Sequence, residues 1–187
     1  MRNQDGETPL QLSVMYQYFE ITKLLFEGGA QGNVLTKKEE TLLHLASSFG
    51  DIQTMRLLLS YDATVNMQDS DGLSPLHETA RRGSTEGSKL LLTNGADINA
   101  KDGDGKTPLI LAVENGKIKM CVHLLGSGAD LTGVDAVLKS EVGWTCEKYT
   151  DTYPDCAAAV TAWLAKRCAL YAVSGGPIGN PLSSSPF

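Results

Sequence analysis

A period of 33 residues runs through most of this sequence. Thr8-Pro9-Leu10, Thr41-Leu42-Leu43, Ser74-Pro75-Leu76 and Thr107-Pro108-Leu109 begin at 8, 41, 74 and 107. The same step separates Gly50, Gly83 and Gly116, and it links Gly29-Ala30, Asp62-Ala63, Gly95-Ala96 and Gly128-Ala129. Asn33, Asn66 and Asn99 keep it too. Four columns do not share one register by coincidence, and a period of this length signals a solenoid of stacked units. No unit can bury its apolar face alone, so neighbours must supply the cover.

Each unit reads as a pair of helices. Thr or Ser caps the first by accepting a backbone N–H, and Pro in the first turn forfeits no needed donor. Leu10, Leu43, Leu76 and Leu109 turn one face of that helix inward. Gly50, Gly83 and Gly116 end it, because Gly tolerates the positive φ of a tight turn. A second helix follows, with Leu-Leu pairs at 24–25, 57–58, 90–91 and 124–125, the last pair one residue late at an equivalent buried turn. "GADINAKDGDGKTP" then carries the turn residues of a projecting loop. The spacing predicts helix pairs over about 8–27, 41–60, 74–93 and 107–127, a fifth over 145–169, and no extended sheet.

The stretches "DGLSPLHETARRGSTEGSKLLLTNGADINAK" and "DGDGKTPLILAVENGKIKMCVHLLGSGADL" resemble ankyrin repeats almost position by position. The resemblance implies an all-α solenoid of stacked helix-turn-helix units with projecting β-turn finger loops. Its repeats span 3–35, 36–68, 69–101 and 102–134. An insertion at 135–139 leads to a degenerate capping repeat at 140–172, in which Trp144-Thr145-Cys146 takes the place of x-Thr-Pro. A Gly/Pro/Ser-rich flexible tail occupies 173–187.

Departures from the pattern carry their own expectations. Gln17 stands where a Gly is usual, and Glu39 replaces the finger Gly. Gly87 and Ser88 replace branched apolar residues in the second helix of repeat 3, so that repeat is expected to pack least well; a helical Gly is about 1 kcal/mol worse than Ala. Phe19, Ile21 and Phe26 in repeat 1 need cover and no polar capping unit precedes them, as in a fragment of a longer array.

The net charge of −6 and 42% apolar residues suit a soluble protein and exclude a basic nucleic-acid footprint. No apolar run is long enough for membrane insertion, and the N-terminus lacks a signal-peptide core. Cys121, Cys146, Cys156 and Cys168 form no CxxC pair, so reduced thiols in a cytoplasmic or nuclear protein are expected, with Cys121 buried.

No constellation of residues points to catalysis, a cofactor or a metal. His44 and His77 share one column, where the family resemblance implies that they brace the adjacent loop. "DSDG" and "DGDG" at 69–72 and 102–105 do not complete a calcium loop. P-loop, G-x-S-x-G and HExxH motifs are absent from the sequence.

A surface for a partner remains. The resemblance implies a concave face made by finger loops and first-helix ends, and its columns form side-chain ladders whose rungs, one repeat apart, are roughly 10 Å from each other. One ladder is Tyr16, Phe49, Arg82 and Asn115, and its neighbour is Met15, Ser48, Arg81 and Glu114. The fingers add Lys38, Asp71 and Asp104, with Leu73 and Lys106. Aromatics and Arg are the residues that most often anchor interfaces. Glu78 precedes Arg82 by four residues and either holds that guanidinium in one rotamer or simply substitutes in a tolerant column. Two functions follow. The chain is a monomeric protein-binding scaffold or adaptor whose groove captures a protein or peptide segment with an acidic or phosphorylated group. Alternatively, it is a regulatory or targeting part of a larger enzyme, channel or lipid-regulating protein.

Overall fold

The computed structural model describes residues 3, 4 and 6–130. The fifth helix pair, the insertion, the capping repeat, the tail and Cys146, Cys156 and Cys168 lie outside the described residues. Eight helices follow in four antiparallel pairs: α1 Pro9–Met15 and α2 Phe19–Glu27, α3 Leu42–Phe49 and α4 Ile52–Ser60, α5 Pro75–Arg82 and α6 Thr85–Thr93, α7 Pro108–Glu114 and α8 Ile118–Gly126. The described residues contain no strand.

Local chemistry fixes where the first helices begin. Thr8 Oγ1 accepts from the Gln11 amide at 3.2 Å, and Gln11 Oε1 accepts from the Thr8 amide at 2.9 Å. In repeat 2 a histidine closes the same reciprocal box: His44 N–H donates to Thr41 Oγ1 at 3.3 Å and Thr41 N–H to His44 Nδ1 at 3.1 Å. Ser74 N–H likewise donates to His77 Nδ1 at 3.0 Å. With Nδ1 accepting, Nε2 carries the proton and reaches the next finger, 2.9 Å from Leu73 O for His44 and 3.1 Å from Lys106 O for His77. The two histidines therefore brace the loops, as the resemblance implies. Burial, the largest cause, holds His77 below the ordinary imidazole range.

The first helices stack as an inner row and the second helices as an outer row, with closer contact along the inner row. Small buried residues there, Ala46, Ala80 and Ala112, let neighbouring backbones approach. Leu43, Leu76, Leu109, Met55, Leu58, Leu91, Met120 and Leu124 fill the space between the rows, each 1% exposed or less. Cys121 is buried among them. The predicted Leu-Leu pairing fails in repeat 1, where Leu24 is 64% exposed. Ile21 is exposed too, although its counterparts Thr54, Gly87 and Met120 are buried.

In repeat 3 the helical glycine sits at a close helix contact. At Gly87 an added Cβ would stand 2.9 Å from Ser84 Oγ and 3.1 Å from a Thr79 methyl. The missing side chain allows α6 to approach α5 closely, so the glycine tightens the repeat. The drawback is polar: Ser88 Oγ is buried without a partner among the described residues.

The finger loops are tied to one another through their backbones. Ser70 N–H donates to Lys38 O, and Gly103 N–H to Asp71 O, both at 2.9 Å. A Cβ on Gly72 would run into the Gly103 amide nitrogen, so only glycine fits there.

Candidate functional site

Within each finger an acceptor at one register organises the turn. Thr36 Oγ1 accepts from the Lys38 and Glu40 amides, Asp69 Oδ1 from Asp71 and Leu73, and Asp102 Oδ1 from Asp104 and Lys106. The finger carboxylates Asp69 and Asp102 thus serve as turn acceptors.

The residues that the ladders single out divide into two halves. Over repeats 3 and 4, several are engaged within the chain. Arg81 is bonded to Glu78 at 2.6 Å. Arg82 turns back to the preceding repeat and donates from Nη1 to Ser48 O at 2.7 Å. It lies over Gly50, whose Cβ would stand 2.8 Å from Arg82 Nε. The proposed hold of Glu78 on Arg82 is therefore replaced by a Glu78–Arg81 pair, because Arg82 meets the orphan carbonyls at the C-terminus of α3. Lys106 Nζ sits 3.0 Å from Glu114 Oε2, and that hydrogen bond raises its pKa. Asn115 Nδ2 donates to Leu111 O at 2.8 Å. Leu73 is half-buried, while Asp71 and Asp104 extend into solvent.

Over repeats 1 and 2 the face is apolar and open. Tyr16 is 64% exposed. Its ring stacks on that of Tyr18, also exposed, with centroids 5.9 Å apart. Phe49 does not share that exposure; it is half-buried against the core shared by repeats 1 to 3. Between the first two fingers lies a groove of about 520 Å³ whose walls include Met15, Leu45, Leu35, Gln11 and Lys38.

Ladder reasoning missed Tyr18, which belongs to a different column. Its counterparts Asp51 and Ser84 cap their second helices, through Thr54 N–H at 3.1 Å and Gly87 N–H at 3.3 Å. Tyr18 makes no side-chain cap on α2. Lys117, the fourth member of the column, makes none on α8 either, so the available signal was the large ring beside Tyr16 and not the missing cap alone.

A family model described as ankyrin repeats (3 copies) matches residues 1–69 and 43–135. The chain belongs to the ankyrin-repeat family. Ankyrin repeats are generally protein–protein interaction modules, and ankyrin domains are typically non-catalytic scaffolds. No curated protein matches the chain. Among the described residues, no helix of this ankyrin array is long and apolar enough to cross a membrane.

Proposed function

We propose that this ankyrin array is a non-enzymatic protein-binding scaffold or adaptor whose concave face captures an extended segment of a partner. The Tyr16–Tyr18 stack is the observation that carries this reading. An uncapped helix start sacrifices about 1 kcal/mol relative to Ser or Asp. The array accepts that penalty in order to place a second ring beside an already exposed one. Local rules broken without structural return mark functional positions. Rigid aromatic surface is also what interface anchors require.

The partner's apolar or aromatic anchor would sit over Met15, Tyr16 and Tyr18, with Phe49 as the floor and Lys38 and Leu73 at the finger edge. An acidic or phosphorylated group would meet Arg82, whose guanidinium is already oriented by the Ser48 carbonyl and retains donors for a bidentate contact. Arg81 would take part only by leaving Glu78. Asp71 and Asp104, with Asn115 nearby, would repel a second acidic group, whereas the charge of Glu114 is offset by its pairing with Lys106.

The test is a quantitative affinity capture with the wild type, Tyr16→Ala/Tyr18→Ala, and Lys119→Ala on the outer row. A genuine partner is lost by the double variant and kept by the control, and its purified form loses roughly thirtyfold or more in affinity. Equal binding by all three folded proteins refutes the assignment.

A further inference from the structure

A second groove lies on the other side of Leu35, which forms part of the wall of both. It arises where two inter-repeat hydrogen-bond straps are missing. Asn66 straps repeat 2 to repeat 3: its Nδ2 donates to Gly95 O at 2.9 Å, and its Oδ1 accepts from Asp97 N–H at 2.8 Å. Asn99 Oδ1 accepts from Asp130 N–H at 2.8 Å. Asn33 holds the same register but makes neither bond. The matching carbonyl of Asp62 and amide of Thr64 have no partner among the described residues. A second strap fails as well. Gln68 Nε2 donates to Lys101 O at 2.7 Å, but Leu35 occupies that column one repeat earlier and has no donor.

The unstrapped junction opens a cavity of about 520 Å³, lined by Phe26, Tyr61, Leu35, Met67, Asn33 and Thr64, among others. Phe26 and Tyr61 stack with centroids 4.6 Å apart and form an aromatic wall. Tyr61, Met67 and Leu35 are 47%, 40% and 38% exposed. Among the described residues that line the groove, Asp62 is the one acidic residue.

We propose that this groove is a binding site for a carboxamide side chain, Asn or Gln, carried on an extended peptide with aliphatic neighbours. The deciding feature is the unmatched pair of backbone groups. Thr64 N–H offers a donor and Asp62 C=O an acceptor in the register of the Asp97 amide and Gly95 carbonyl that the Asn66 amide bridges one repeat later. A carboxylate lacks the donor for the Asp62 carbonyl and is repelled by the Asp62 side chain. An ammonium lacks the acceptor for the Thr64 amide. A primary carboxamide satisfies both, and apolar neighbours would cover the exposed Tyr61, Met67 and Leu35. The occupant replaces the bond that Asn33 does not make.

Thr64 also explains the open state. The next two repeats carry Asp97 and Asp130 in its column, and Asp97 Oδ1 accepts from Asn99 N–H at 2.9 Å, which shapes the strap loop. Thr64 makes no such turn. Thr64→Asp is therefore expected to restore the loop, let Asn33 reach across, and close the groove.

The experiment is an amide-resolved NMR titration of the full 187-residue chain with two probes, acetyl-Leu-Gln-Leu N-methylamide and acetyl-Leu-Glu-Leu N-methylamide. The Gln probe is expected to shift the Thr64 amide, with the Glu probe at least tenfold weaker. Thr64→Asp abolishes the response, and Met67→Glu, which leaves that loop's backbone intact, weakens it as a second check. Tyr16→Ala/Tyr18→Ala leaves it unchanged, so failure here and failure of the tyrosine surface are distinguishable. Equal response to both probes, no Thr64 shift at about 10 mM Gln probe, or undiminished binding by Thr64→Asp overturns the proposal.

Discussion

Among the described residues, three with side chains hold a backbone conformation that side chains disfavour, and each lies in a column that is otherwise glycine. Gln17 has φ 57°, against 70°, 87° and 64° at Gly50, Gly83 and Gly116. Glu39 has φ 61°, against 83°, 78° and 77° at Gly6, Gly72 and Gly105. Asp62 has φ 57°, against 83°, 84° and 94° at Gly29, Gly95 and Gly128. The left-handed region disfavours a residue with a Cβ by roughly 1–2 kcal/mol. Restoring glycine removes that strain but returns about 0.5–1 kcal/mol of entropy to the unfolded chain. The side chains of Gln17 and Glu39 are exposed and make no hydrogen bond, so little contact is lost. Gln17→Gly and Glu39→Gly should each stabilise by about 0.5–1 kcal/mol. Asp62→Gly should gain less, because Asp tolerates this region better. The two larger effects sit in separate loops and should add to roughly 1–2 kcal/mol. With a urea slope near 2 kcal/mol per molar, that raises the midpoint by about 0.5–1 M. Lys119→Gly on exposed α8 is the control and should lower stability by about 1 kcal/mol. If Gln17→Gly and Glu39→Gly also lower the midpoint, the strain argument is wrong.

Other perturbations separate the forces at work. Glu78→Leu, which places at 78 the apolar residue type of Leu12, Leu45 and Leu111, should leave chemical-denaturation stability unchanged or raise it by about 1 kcal/mol, since Glu78 is buried while its partner Arg81 is half exposed, and such a pair is readily matched by apolar packing. Gly72→Ala should destabilise far more than Gly105→Ala: both have positive φ, but only Gly72 faces backbone where the Cβ must go. Stability should fall as pH drops below the unfolded histidine value near 6.5 and level off below the depressed folded value, by at most about 1.4 kcal/mol per pH unit per histidine. Burial depresses both His77 and His123, so the unfolded chain binds more protons across that window. His77→Gln keeps the box as Gln11 does and should flatten part of the acid slope in a pH series of urea melts. Tyr18→Asp should raise stability by about 1 kcal/mol through a restored cap, read by thermal melting, while weakening partner binding.

What the sequence determined by itself was nearly everything governed by bonds spanning a few residues. The Thr/Ser caps, the helix starts at Pro9, Pro75 and Pro108, and the left-handed Gly50 and Gly83 all act within one turn of chain. Repetition at 33 residues made those local signals redundant, and stacking followed because no unit buries its own face. The candidate surface was legible only as columns: Tyr16 sat in one, and Tyr18 escaped because its column serves a different purpose. Tertiary structure decided which partner each long side chain chose. Arg82 had Glu78 four residues away, yet it bonds to Ser48, 34 residues back, because stacking brings the end of α3 beneath it. Gly87 looked like a weakness until α5 was seen packed against it. The groove at Thr64 exists because two straps between neighbouring repeats are not made, and such bonds depend on loop placements that no single repeat specifies.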